Sequence, residues 1–335
     1  MAVQLKQAMT EQVLNQLVTV IIRSANERSV SLCKHLVLLQ GLDCKNVDVI
    51  EEVPFSEALR KSYLRGIEHD RKWTLCVDAD VLLRSNSISI LIDFAERQAA
   101  NTCEIQGAIL DKFFGGARSG GIHLYRSELL KKAVHCIPDA TNVRPEFTTL
   151  SLMAKLGFPW AEIPYVVGLH DFEQYYSDIY RKCFVHGHKH LKFTELLVDV
   201  WKAGIPFDAD YLVALHGLCN GVRYPSNVSI DRSAAYFQIS LEPLDLIEKG
   251  AINLTDWSLS RVDQIMETWK EPKSYAKFFP AWSTMYRFVT PNDTNEPKTL
   301  KDYRKKLGLL KGTGFVAGRI LEKLGRRIQR SCNGG

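Results

Sequence analysis

The sequence predicts an α/β fold, and three features of the chain carry that reading. Continuous β-branched, apolar runs alternate with segments of helical spacing through the first half, the pattern of strands buried on both faces by helices. Two of those runs break off into polar clusters, Arg23–Arg28 and Asp78–Asp80, as strands do where they deliver loops to the ligand-binding edge of an open sheet. Beyond residue 190 the strand pattern stops, and a mainly helical pattern with loops at Pro206, Pro225, Pro243 and Pro272 replaces it.

Leu17-Val18-Thr19-Val20-Ile21-Ile22 is short and continuous enough for a fully buried strand. Arg23-Ser24-Ala25-Asn26-Glu27-Arg28 ends it with capping residues, and a helix is predicted from there to Gln40. Asn46–Ile50 reads as a second strand and Phe55–His69 as a helix capped by Ser56. Trp73–Val77 is a third strand, running into Asp78-Ala79-Asp80. A helix over Ser87–Gln98 precedes strands over Glu104–Leu110 and Gly121–Arg126. Pro145 ahead of Glu146 suits a helix start, and Ile163–Val167 is a further apolar strand. Alternation of this kind, taken alone, implies parallel pairing.

Composition narrows the function classes. At 46% hydrophobic and 24% charged the chain is globular rather than disordered or fibrous. Its net charge of +5 suggests a polyanion-binding protein until it is located. Residues 301–335 hold ten basic and two acidic side chains, a net +8, so residues 1–300 carry −3 and no nucleic-acid partner is expected. Phe315, Ile320, Leu321, Leu324 and Ile328 interleave with the basic residues of that tail, an amphipathic pattern suited to an anionic membrane surface. No apolar run approaches the roughly 18–20 residues that span a bilayer, and Met1–Gln16 lacks the apolar core of a secretory signal. Eight cysteines without a C-x-x-C pair fit a reducing compartment. The expected location is therefore cytoplasmic, peripheral on the inner face of a membrane.

Asp78-Ala79-Asp80 is the sharpest chemical feature. Two carboxylates leaving a buried strand offer hard oxygen ligands suited to Mg²⁺ or Mn²⁺, and such an ion neutralises a diphosphate. His170-Asp171 follows an apolar strand and Gly168, which delivers an imidazole to a strand end as a third ligand or a phosphate contact. His186, His188 and His190 cluster around Lys189, without a Cys or carboxylate at a metal-site spacing, and read as a solvated helix end or a phosphate-facing surface. Gly312–Gly318 lacks the P-loop pattern and a preceding strand.

Together these residues resemble the GT-A fold glycosyltransferases, most nearly the family 2 nucleotide-sugar-dependent enzymes. Val18–Glu27 is similar to that family's opening strand and nucleotide loop, and Ser62–Ile67 followed by Trp73–Asp80 to its helix and DXD segment. Gly120-Gly121-Ile122-His123-Leu124-Tyr125-Arg126 resembles the strand lining its sugar pocket. The resemblance spans residues 16–175 and implies a mixed sheet flanked by helices. By position it implies that Arg23, Ser24, Ala25, Asn26 and Glu27 hold the nucleotide, with Glu51 or Glu52 reaching the base and Arg65 and Asp78 nearby. It further implies that Asp78, Asp80 and His170 bind a divalent cation, Mn²⁺ or Mg²⁺, and that Gly120 and Gly121 line the sugar site.

The family usually carries Glu-Asp at the helix that supplies its base, whereas this chain reads Arg144-Pro145-Glu146-Phe147. Either Glu146 or Asp171 is then the base, or the enzyme retains configuration without a conventional one. The implied activity is metal-dependent, hexosyltransferase-type, inverting transfer from a nucleoside-diphosphate sugar to a glycan, lipid-linked or protein hydroxyl. The alternatives are a sugar nucleotidyltransferase, whose Gly-rich loop after the first strand is missing here, and a non-catalytic nucleotide- or sugar-binding module. The expected domains are a catalytic domain at 1–190, a helical acceptor-related region at 191–300 and the basic tail at 301–335.

Overall fold

The computed structural model describes residues 11–140, 142, 144–189, 191–226, 228, 234–279 and 286. The tail 301–335, the Gly312–Gly318 run, His190, and the sequons at Asn227 and Asn292 lie outside the described residues.

The chain runs α1 (Glu11–Leu17), β1 (Val18–Ser24), α2 (Val30–Leu38), β2 (Val47–Glu51), α3 (Phe55–His69), β3 (Trp73–Asp78), β4 (Val81–Leu83) and α4 (Ser87–Glu96). It continues through β5 (Glu104–Asp111), β6 (Gly116–Arg126), α5 (Ser127–Ala133), α6 (Pro145–Lys155), β7 (Trp160–His170) and α7 (Tyr176–Lys189). Helices α8 (Thr194–Gly204), α9 (Ala209–Arg223), α10 (Leu259–Thr268) and α11 (Lys273–Phe278) complete the described α-helices.

One seven-stranded sheet has the order β2-β1-β3-β6-β5-β7-β4. β1 pairs in parallel with both β2 and β3, as strand–helix alternation implies. β6 then enters antiparallel between β3 and β5, so the sheet is mixed, as in a Rossmann-like GT-A fold. A tight turn over residues 112–115, with Phe113 N and Phe114 N donating to Asp111 Oδ1, joins β5 to β6 as a hairpin. That local connection is why the pairing here is antiparallel.

β1 is buried throughout because both its faces are covered. Val18, Val20 and Ile22 pack with Cys33 and Val37 of α2, while Ile21 packs with Leu59 and Tyr63 of α3. Two local expectations differ. The α3 N-cap is Pro54, with Ser56 buried inside the first turn. β6 starts at Gly116, since Gly116–Ser119 pair with β5 although they give little apolar signal.

The helical region closes over the hairpin turn. Phe113 and Phe114 share a core with α7, α8 and α9, and Trp201 Nε1 donates to Phe113 O at 2.8 Å. Buried Lys112 pairs with Asp208 at 2.7 Å and Asp210 at 2.5 Å. Trp257, Val262 and Met266 cover Leu82, Val166 and Leu169 of the sheet. No helix among the described residues is long and apolar enough to cross a membrane.

Candidate active site

Sheet register assembles the site before any side chain is considered. Arg23 at the end of β1 stands opposite Asp78 at the end of β3. Val77 faces Ile122, which places Gly121 beside Asp78. On the far side of the sheet, His170 is the rung partner of both Val81 and Asp111. Asp171 N closes the array by donating to Asp80 O at 3.1 Å. Segments some 90 residues apart in sequence, 78–80 and 170–171, therefore converge at one edge.

Gly121 lets that edge pack closely. Its φ is +70°, and a Cβ there would lie 2.8 Å from Val81 Cγ2 and 3.7 Å from both Asp78 Oδ2 and His170 Cδ2. Gly120, at φ +142°, lies against the Arg118 guanidinium.

Asp80, His170 and Asp171 can each offer a ligand atom within 4.8 Å of the others. His170 Nδ1 is 3.0 Å from Asp111 Oδ2 and 3.0 Å from Asp171 Oδ2. Asp80 Oδ1 is buried and has no hydrogen-bond partner, with His170 Nε2 the near group at 3.6 Å. An orphaned carboxylate oxygen beside two more N/O donors suits a hard divalent cation. Lys182 of α7 contacts Asp80 Oδ2 and Asp171 Oδ1 together. Arg118 binds Asp111 Oδ2 at 2.6 Å.

Electrostatics follow from this crowding. Burial opposes charge on His170, yet Asp171 and Asp80 outweigh it and raise the imidazole to about 10. Burial likewise opposes ionisation of Asp171, but His170 and Lys182 hold its carboxyl well below the usual carboxylate range. Asp78 is raised by burial, against the pull of Arg23 and with the push of Asp80.

A second network lies behind Asp78. Arg23 donates from Nε to Asp78 Oδ1 at 2.9 Å and from Nη1 to Glu146 Oε1 at 2.6 Å. Tyr125 donates to the same Glu146 oxygen at 2.6 Å, and His123 Nε2 lies 3.0 Å from Glu146 Oε2. His123 Nδ1 reaches Glu104 Oε1 at 2.8 Å. Burial opposes the Glu146 charge, but Arg23 and His123 outweigh it and set its carboxyl well below the usual range.

The loop after β1 is braced internally. Glu27 Oε2 accepts from Ser24 Oγ at 3.0 Å and Ala25 N at 2.7 Å, and Asn26, at φ +65°, is exposed. Arg28 pairs with Glu173. Glu51 is exposed at the end of β2, level with Ser24. Glu52 pairs with Lys61. Arg65 is tied to Asp48 at 2.8 Å and Glu68 at 2.6 Å on α3, three rungs back from Glu51, so this geometry does not bring it to the acidic cluster.

Sequence reading missed Asp111, His123, Arg118 and Lys182. Asp111 carries a signal like that of Asp78, an apolar run (Ala108-Ile109-Leu110) ending in Asp. His123 interrupts an apolar strand, which marks a buried polar group in need of partners. Lys182 carries no local mark.

No protein-family model and no curated protein matches the chain. Solved structures do. One is a glycosyltransferase involved in glycosylation of the major capsid of PBCV-1, at 14% identity and TM-score 0.33, over 46% of this chain and 92% of that one. Another is a mannosyltransferase from Pyrobaculum calidifontis in complex with GDP-Man and Mn²⁺, at 14% identity and TM-score 0.36, over 63% and 76%. A third is a cytidylyltransferase from Leptospira borgpetersenii, at 10% identity and TM-score 0.32, over 58% and 95%.

Proposed function

We propose that the chain is a glycosyltransferase that moves a sugar from a nucleoside-diphosphate sugar to a hydroxyl acceptor. The observation that carries this reading is the convergence of Asp80, His170 and Asp171 at one sheet edge, with Asp78 and His170 both close to Gly121. A diphosphate needs cations, a sugar needs room, and both lie at the carboxyl edge of an α/β sheet.

Asp80, His170 and Asp171 are the residues that would hold a divalent ion, with Asp78 turned toward the donor ribose. Bound Mn²⁺ or Mg²⁺ supplies charge neutralisation to the departing diphosphate. The loop 23–27 and Glu51 or Glu52 frame the nucleotide, and Gly120 and Gly121 leave space for the sugar. In-line displacement at the anomeric carbon makes the transfer inverting and hexosyltransferase-type.

Both carboxylates considered as the base are engaged. Glu146 is held by Arg23, His123 and Tyr125, and Asp171 by His170 and Lys182. A carboxylate stabilised in this way accepts a proton poorly. The acceptor hydroxyl therefore gives its proton to solvent water as the new glycosidic bond forms and the bond to the diphosphate breaks. In this reading Glu146 positions Arg23, and through it Asp78. Most of the acceleration comes from stabilising the leaving group.

Residues 191–300 supply acceptor contacts, and the +8 tail brings the enzyme to an anionic membrane where the acceptor is lipid-linked. Deleting 301–335 removes liposome binding and spares turnover of a soluble acceptor.

A panel of UDP- and GDP-sugars, tested by thermal shift and by slow hydrolysis with and without Mn²⁺, checks the central reading. Mn²⁺-dependent hydrolysis of one donor is the expected result. Binding without turnover across acceptors points to a non-catalytic module. Pyrophosphate release from a nucleoside triphosphate and a sugar phosphate points to a nucleotidyltransferase.

A further inference from the structure

The acidic cluster contains a cation of its own. Lys182 extends from the middle of α7, and its ammonium contacts one oxygen of Asp80 and one of Asp171. The side chain is 19% exposed. Its helix is fixed from behind, because Ile179, Cys183 and Phe184 are packed in the core formed with α8 and α9. The backbone at Lys182 thus has little freedom, and the long stem alone can move the ammonium.

Asp80 and Asp171 are two of the three groups that could hold a divalent ion. Each has one oxygen on Lys182, while the other oxygen of Asp80 is buried without a hydrogen bond. The space between the two carboxylates cannot hold an ammonium and a divalent ion at once, since like charges about 4 Å apart repel strongly in a buried site. Among the described residues, Lys182 is the one lysine shown paired with either carboxylate.

We infer that Lys182 is a tethered counter-cation that competes with the divalent ion for the Asp80–Asp171 pair, and that an arriving ion displaces its ammonium onto the donor diphosphate. Only the last step rests on the proposed function. The competition is a property of the apo chain. Before the donor arrives, Lys182 keeps two buried carboxylates from repelling each other. Afterwards the same charge faces the leaving group, which needs it most as the glycosidic bond breaks.

Mn²⁺ titration of the full chain without nucleotide, read by calorimetry or by the free-ion EPR signal, tests the competition. Lys182→Met, which keeps the stem and loses the charge, binds Mn²⁺ about tenfold tighter than the wild type. Lys182→Arg, whose guanidinium grips carboxylates in a fork, binds it more weakly. Equal affinity across the three proteins, tighter binding by the arginine variant, or no Mn²⁺ binding by any of them overturns the inference. If the methionine variant does not fold, the arginine variant still decides by the direction of its change. With Mn²⁺ saturating, GDP or UDP binds the methionine variant more weakly than the wild type, and unchanged affinity overturns the diphosphate step. An intact affinity order with no turnover of any donor counts against the glycosyltransferase reading alone.

Discussion

Arg23 and Glu146, 123 residues apart in the chain, meet at 2.6 Å beneath the acidic cluster. Arg23 also holds Asp78, so one guanidinium couples the third strand to the start of α6. Its side chain is 2% exposed and that of Glu146 12%. Removing either partner leaves a buried charge with one counter-charge fewer, Arg23 with Asp78 alone or Glu146 with His123 alone.

Arg23→Met is expected to cost about 3–5 kcal/mol in urea unfolding, the range for breaking a buried ion pair from one side. Adding Glu146→Gln to that variant should restore part of the loss, with a coupling energy of about 1–3 kcal/mol. Strict additivity of the two substitutions would show that the pair is not energetically linked.

Asp80→Asn tests the ion-holding group. The fold should survive, because the amide replaces the carboxylate in nearly the same volume. The Mn²⁺-dependent rise in melting temperature should vanish, and donor turnover should fall by about 10³-fold. Full activity of this variant under a divalent cation would remove Asp80 from the site.

Gly121→Ala tests the close approach at the sheet edge. The residue has φ +70°, and its new methyl would press on Val81 while reaching toward Asp78 and His170. A loss of about 1–3 kcal/mol from backbone strain is expected, with donor binding weakened as well. Gly120→Ala meets only the Arg118 side chain and should weaken donor binding less. Equal effects on donor affinity would argue against Gly121 as the wall of the sugar site.

His123 gives the protein a pH signature. The groups facing it are Glu104 and Glu146, with Tyr125 stacked at 6.2 Å and Arg23 beyond. Burial opposes its charge, but Glu146 and Glu104 raise it to about 10 from 6.5. A raised folded-state value means the folded protein holds the proton more tightly. This stabilisation is complete below about pH 6.5 and is lost as pH rises toward 10. Glu104, pushed by burial to about 7 against the pull of His123, contributes with the same sign at lower pH. Unfolding free energy should therefore fall between pH 7 and 9, with His170, also raised to about 10, adding to the fall, and His123→Gln should lessen that slope. An unchanged slope in the variant would place the effect elsewhere.

The strand ends were readable because burial on both faces demands continuous apolar runs, and polar residues that interrupt such runs must have a use. That is how Asp78, Asp80 and His170 stand out from the chain. Asp111 carries the same mark but follows a strand of less regular composition. The sheet is mixed, as the resemblance implied, and the parallel pairing that alternation alone suggests stops at β6, since a hairpin turn held by Asp111 can invert a strand without altering its hydrophobic pattern.

By itself, the sequence determined which residues leave buried strands, because hydrophobic periodicity is local and the chain writes it in order. Only the tertiary structure decided that Asp80 meets Asp171, that Lys182 lies between them, and that Arg23, Glu146, His123 and Glu104 form one chain of contacts. Those pairings depend on strand register and on the way α7 crosses the sheet edge. Both are set by packing between distant segments, which leaves no trace in the spacing of neighbouring residues.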